Sequence, residues 1–168
     1  KWLPAAATES ASYTVLESVD AAGKSIVSYQ ADSGQRKVLV GAAELIPPGR
    51  TKPLSVDGYS WSADLGRVMI FTNSVRVWRR NTRGDYWVLH RGTGRLTQLG
   101  GDADAQSLMY AKFSPSGDSV AYVRDGNLFV EDLLDHSIVQ VTRRASQRIL
   151  NGMSDWVYEE EFGLRDGF

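Results

Sequence analysis

The sequence predicts an all-β chain: a partial β-propeller of about three blades of antiparallel strands, with one short helix near residues 155–161. Three observations lead there. A strand-turn-strand repeat returns at constant spacing, a matching hairpin follows each copy, and a helix signal interrupts the strand pattern near residue 155.

In chain order, "SIVSYQADSGQRKVLV" (25–40) reads as two strands around a polar turn. "YSWSADLGRVMIF" (59–71) then aligns with "AKFSPSGDSVAYV" (111–123), placing Trp61 on Phe113, Ser62 on Ser114 and Val68 on Val120, a spacing of 52 (113 − 61). Each copy runs aromatic-Ser, a turn (Ala63-Asp64-Leu65-Gly66 or Pro115-Ser116-Gly117-Asp118), then an apolar strand. A hairpin comes next in both places, "DYWVLHRGTGRLTQL" (85–99) and "NLFVEDLLDHSIVQVT" (127–142). Four short strands per roughly fifty residues is the pattern of a propeller blade. A β-sandwich also shows regularly spaced turns, but the aligned copies favour the propeller. Closure usually takes four or more blades, and three would leave open strand edges. Either three blades is a miscount or residues 1–168 are a piece of a longer propeller, and the piece is favoured.

Composition narrows the function classes. The chain is 42% hydrophobic and 23% charged with a net charge of −1, so no overall field draws it to nucleic acid or anionic lipid. Cysteine is absent, which excludes disulfides and thiolate metal sites. No stretch approaches the ~20 apolar residues of a membrane span. Catalytic motifs are missing too. "GMSDW" (152–156) and "GDSVA" (117–121) lack the second glycine of a nucleophile elbow. "GTGRLTQLGG" (92–101) is no phosphate cradle, and "DADA" (102–105) is only half a calcium loop. His90 and His136 read as surface residues in strand-to-turn regions, without a second ligand at metal spacing. The expectation is a chain with no catalytic residues, no metal and no cofactor of its own.

Two clusters of charge stand among aromatics. In "VWRRNTRGDYW" (77–87), arginines interleaved with rings could suit single-stranded nucleic acid, but the neighbouring acidic segments disfavour it. A solvated hairpin rim is the default for Arg79 and Arg80. The other cluster is "SDWVYEEEFGLRDGF" (154–168), three glutamates set between large apolar residues. On a strand, Glu160 and Glu161 would point to opposite faces; on a helical turn they diverge by about 100° and can approach one small cation. Ser154 or Asp155 supplies an N-cap, so a helix from about Asp155 to Glu161 is expected, anchored by the packing of its aromatics. Two nearby ionised carboxylates are prepared for a positive charge. Equally open from the residues is a structural role, one glutamate capping the helix and another pairing with an arginine such as Arg165.

"DWVYEEEF" (155–162), preceded by "NG" (151–152), resembles the Glu-Glu motif of the dipeptidyl peptidase IV family of serine exopeptidases. "NSVRVWRR" (73–80) is similar to that family's Trp-Arg segment, and "YAKFSPSGDSVAYVRDGNLFV" (110–130) to the blade after it. The resemblance covers roughly residues 57–168, and "GLRDGF" resembles bacterial members, in which a further blade follows. "VTRRAS" (141–146) departs from those relatives only at a turn. The resemblance implies a C-terminal α/β-hydrolase domain bearing a Ser-Asp-His triad. It implies removal of N-terminal dipeptides of the Xaa-Pro type from peptides with a free N-terminus. Glu160 and Glu161 would bind the substrate α-ammonium, Arg79 a substrate carbonyl or carboxylate oxygen, and Glu159 would be mainly structural. It further admits a homodimer and favours a periplasmic or secreted location. The alternatives are a tripeptidyl or acylaminoacyl peptidase on the same scaffold, or a non-catalytic binding propeller.

Overall fold

Alternating apolar and polar residues, broken by turn sequences, fold in the computed structural model as eleven antiparallel strands; the structure describes residues 1–4, 10–18 and 23–168. In chain order they are β1 (Ser12–Ser18), β2 (Lys24–Gln30), β3 (Arg36–Val40), β4 (Gly58–Trp61), β5 (Arg67–Val77), β6 (Arg80–His90), β7 (Arg95–Gln98), β8 (Leu108–Phe113), β9 (Ser119–Arg124), β10 (Asn127–Asp132) and β11 (Ile138–Gln140). The α-helix α1 (Trp156–Phe162) follows. The helix expected from about Asp155 is present, with Asp155 as its cap.

Two compact units divide the chain, residues 1–56 with 89–97, and residues 57–88 with 98–168. The first holds the sheet β1-β2-β3, whose middle strand buries Ile26 and Val27 completely; Val40, Leu45 and Val56 are fully buried in the same unit. A single 3-10 turn (Ala42–Leu45) follows β3, and the Glu44 carboxylate accepts the Gly41 N–H at 2.8 Å.

The candidate site lies in the second unit, where the repeat becomes physical. The serine of each copy ties its own turn. Ser62 Oγ accepts the Arg67 N–H at 2.9 Å, and Ser114 Oγ accepts the Ser119 N–H at 3.1 Å. Each turn also carries a carboxylate. Asp64 takes hydrogen bonds from Ser62 Oγ and the Gly66 N–H, and Asp118 takes them from Ser116 Oγ and Ser114 Oγ. These donors hold both carboxyls below the usual aspartate range, led by Ser62 for Asp64 and by Ser116 for Asp118. The repeated aromatic-Ser signature is therefore a turn-closing device and carries no chemistry.

The pairing order β11-β10-β9-β8-β6-β5-β4, with β7 on β6, makes one eight-stranded sheet. Two four-stranded modules, β4–β7 and β8–β11, are stitched together where Arg83 pairs with Met109 and Gly84 with Leu108. The repeat had suggested separate blades. They run together because β5 and β6 are each 11 residues long, far beyond their partners in the repeat. Met69, Tyr86, Val88, Leu99, Leu108, Val120, Tyr122 and Phe129 form the core of this unit. Within it Glu131 is buried but satisfied, accepting the Gly100 N–H at 2.8 Å and the Tyr122 hydroxyl at 3.3 Å. Desolvation, reinforced by the Glu131 charge, pushes the Tyr122 hydroxyl well above the usual tyrosine range.

Gly84 sits where strands approach most closely. A Cβ there would lie 2.6 Å from Phe71 Cε2 and 2.8 Å from the Thr72 carbonyl oxygen. Gly84→Ala is therefore expected to cost about 1–3 kcal/mol by overpacking, read as a lower urea midpoint at unchanged slope. The turn copies give the opposite case. Leu65 adopts φ 57°, at the position where the second copy has Gly117 at φ 77°. Relieving this left-handed leucine with Leu65→Gly should raise the urea midpoint, by up to about 1 kcal/mol after the added unfolded-state entropy.

Candidate functional site

Two elements meet at the site, the tip of the β5–β6 hairpin and the helix α1. The hairpin is closed by Trp78 and Arg79, with Trp78 in the left-handed region at φ 55°. Such a bulky residue at positive φ is strained, and the turn persists because its surroundings fix it. Arg76 Nε donates to the Trp78 carbonyl at 3.0 Å. Further along, Asn81 Nδ2 donates to Ser74 Oγ, and Asn73 Nδ2 to Asp85 Oδ2.

Local sequence shapes α1 at both ends. Asp155 accepts the Tyr158 N–H at 2.9 Å as N-cap, and Gly163 ends the helix in the left-handed region at φ 67°. The segment is tied down outside the helix itself. Met153 bridges Asp166, the Ser154 N–H donates to the Arg165 carbonyl, and Lys112 binds both the Asp166 carboxylate and the Phe168 carbonyl. Lys112 can reach because β8 is bulged between Met109 and Lys112, where Tyr110 takes φ 57°.

This overturns the expectation that the aromatics anchor the helix by packing. Trp156 is 43% exposed and Phe162 67%, with Val157 and Tyr158 about half exposed. The buried member is Glu159, only 5% exposed. A seven-residue helix held from its two ends needs no buried apolar stripe, and the side turned inward here carries a carboxylate. Glu159 Oε1 has no hydrogen-bond partner among the described residues, and its charge lies within electrostatic reach of Tyr110. Burial first of all pushes the Tyr110 hydroxyl above its ordinary range, with the Glu159 charge adding to the rise.

Each sequence-predicted site residue can now be placed. Arg79 Nη1 lies 2.8 Å from Glu160 Oε2, although 81 positions separate them; their side chains are 67% and 15% exposed. The same guanidinium lies over the Trp156 ring, with Cζ 5.8 Å from its centroid. Glu161 is exposed and has no ion-pair partner among the described residues. Arg79, the partner of Glu160, stands in the place where the structural alternative had put Arg165. Arg80 is on the exposed rim, as expected of it. Glu160 is thus engaged by a guanidinium, while Glu161, the next residue, stands exposed. Sequence reasoning missed Trp156 as a neighbour of Arg79. The available signal was its spacing of four from Glu160, which puts the two on one helix face.

Among the described residues, no group of three or more His, Asp or Glu is placed to hold a metal ion, and no helix is long and apolar enough to cross a membrane. His90 Nδ1 accepts the Thr93 N–H in its own turn, and His136 lies 3.6 Å from Glu131; both are half-buried.

An all-β partial propeller with a glutamate-bearing helix set against an arginine-tipped hairpin is the class of domain these observations define. Residues 62–168 match the family model described as the dipeptidyl peptidase IV (DPP IV) N-terminal region, and the chain belongs to that family. It is 33% identical over 131 residues to dipeptidyl aminopeptidase B of Saccharomyces cerevisiae, covering 77% of this chain and 15% of that protein. A probable dipeptidyl-aminopeptidase B of Aspergillus oryzae is 31% identical over the same length, covering 77% of this chain and 14% of its own. The crystal structure of Porphyromonas gingivalis dipeptidyl peptidase 4 superposes with a TM-score of 0.74 at 28% identity, covering 91% of this chain and 21% of that one. The chain thus spans 14–15% of the length of these curated relatives.

The exposure of Arg79 makes its ion pair a weak stabiliser of the fold. Arg79→Ala is expected to change unfolding free energy by less than about 1 kcal/mol, measured by urea denaturation.

Proposed function

We propose that residues 1–168 form the N-terminal part of the propeller of an exopeptidase that removes dipeptides from peptides with a free N-terminus. Cleavage itself would be carried out by a serine nucleophile in an α/β-hydrolase domain of the parent protein, which would also hold any pocket for proline. The observation that supports this most is the pairing of Glu160 with Arg79 beside an exposed Glu161 on the same helix, a carboxylate with no ion-pair partner among the described residues. An α-ammonium group would supply the positive charge that Glu161 lacks. The printed names of the relatives, dipeptidyl aminopeptidases and a dipeptidyl peptidase, agree with that reading.

The proposed division of labour follows from the donors and acceptors. Glu161, with its free carboxylate, takes the ammonium first, and Glu160 shares it while keeping Arg79 in place. The remaining N–H donors of Arg79 then serve a carbonyl or carboxylate oxygen of the bound peptide, a role suited to its planar fork. Charge-assisted hydrogen bonds contribute about 1.5–3 kcal/mol each, enough for two of them to select a charged N-terminus. An internal amide carries no charge and leaves both carboxylates without a partner, which disfavours cleavage in mid-chain. The distance from this clamp to the nucleophile would then set how many residues are removed.

In the parent enzyme, Glu160→Ala and Glu161→Ala should each lower kcat/KM on an Xaa-Pro anilide by tenfold or more, which is about 1.4 kcal/mol or above. N-acetylation of that substrate should cause a comparable loss in the wild type and little further loss in the variants. Wild-type kinetics in both variants would exclude the clamp. Release of tripeptides or of acylated residues, identified by mass spectrometry of the products, would instead assign the scaffold to a different exopeptidase.

A further inference from the structure

Trp156 opens α1 and Glu160 stands four positions later, so the helix presents an indole and a carboxylate on one face. Arg79 lies across that face and touches both, 2.8 Å from the carboxylate oxygen and 5.8 Å from the ring centroid. We propose that Trp156 is a positioning residue of the substrate site, holding the Arg79 guanidinium in register when an incoming ammonium draws on Glu160. The proposal rests on the exopeptidase reading and adds to it a residue that never touches the substrate's ammonium.

In the empty site the guanidinium has an ionic partner and a ring. A bound ammonium takes part of the acceptor capacity of Glu160, and the ionic hold on Arg79 weakens at the moment its geometry matters most. The guanidinium is at the end of a long flexible side chain, on a turn residue 67% exposed to solvent. Fixing the backbone at Trp78 does not fix that side chain. The indole face supplies a contact that does not compete for the carboxylate oxygens. Among the described residues the Trp156 ring has the Arg79 guanidinium as its charged neighbour. Its ring is kept at the surface, beside the charge it serves.

The experiment is a double-mutant cycle in the full-length parent, with kcat and KM measured on a free-N-terminus dipeptidyl anilide. Trp156→Leu should lower kcat/KM by about two- to fivefold, the range a cation–π contact of this exposure supports. Trp156→Phe should keep it within about twofold, because a ring face remains. In the Arg79→Ala background, Trp156→Leu should cause no further loss, since the ring then has nothing to hold. Trp156→Met serves as a second non-aromatic variant should the leucine variant fold poorly. Wild-type kcat/KM in the non-aromatic variants would overturn the proposal. So would a loss that adds in full to that of Arg79→Ala, because Trp156 would then act through something else. If Arg79→Ala itself leaves kcat/KM intact, the assigned role of Arg79 fails and this proposal fails with it. Loss in Arg79→Ala without coupling to Trp156 removes this proposal alone.

Discussion

The organisation of the site depends on one ion pair, between an arginine on a hairpin tip and a glutamate on a helix 81 positions away. As a source of stability it is minor, because the guanidinium is well solvated and screened. Its importance is geometric. It joins two segments that share no strand pairing and sets a cation against one carboxylate of the helix. Without it, the hairpin would present a solvated tip and the helix an unbalanced acidic surface. With it, Glu160 is paired and Glu161 alone keeps an open carboxylate.

The three carboxylates of α1 show how burial divides labour among identical side chains. Glu159 is turned inward, Glu160 is largely covered and paired, and Glu161 is open to solvent. Successive residues on a helix diverge by about 100°, so neighbours in sequence meet different surroundings. A carboxylate in solvent costs nothing to keep charged, whereas one taken inward depends on the groups around it. The inward glutamate is therefore tied to local structure, Glu160 is committed to Arg79, and Glu161 keeps an open carboxylate. Glu131 gives a useful contrast. It too is buried, but its Oε2 accepts two hydrogen bonds, and it stands in the core away from the helix.

Much of this was legible in the sequence, for reasons that particular residues make plain. The spacing of Ser62 and Ser114 predicted two copies of a turn because each serine closes its own turn through bonds to nearby backbone. Asp155 announced the helix start because capping is also local. What failed was the reading of Trp156, Tyr158 and Phe162 as packing. Hydrophobic type says what a side chain tolerates, and the ends of α1 proved sufficient to hold it. The pairing of Arg79 with Glu160 was beyond the sequence for another reason. Nothing local distinguishes Arg79 from Arg80 or Arg165 as a partner, and only the course of the long hairpin brings it to the helix. The family resemblance singled out Arg79 and Glu160, which the structure brings together, but the indole beside Arg79 became visible only in the structure.

The close approach at Gly84 has a consequence for reach. From Gly84 to Arg79 is five residues of β6, about 17 Å at the usual rise per residue. The bare backbone at Gly84, pressed between Phe71, Thr72 and Ser74, is thus the fulcrum of a lever whose far end carries a charge. A small tilt at that fulcrum becomes a displacement of an ångström or more at the tip, through extended backbone alone. The smallest residue in the strand, buried and bearing no functional group, therefore sets where the backbone of the hairpin tip lies.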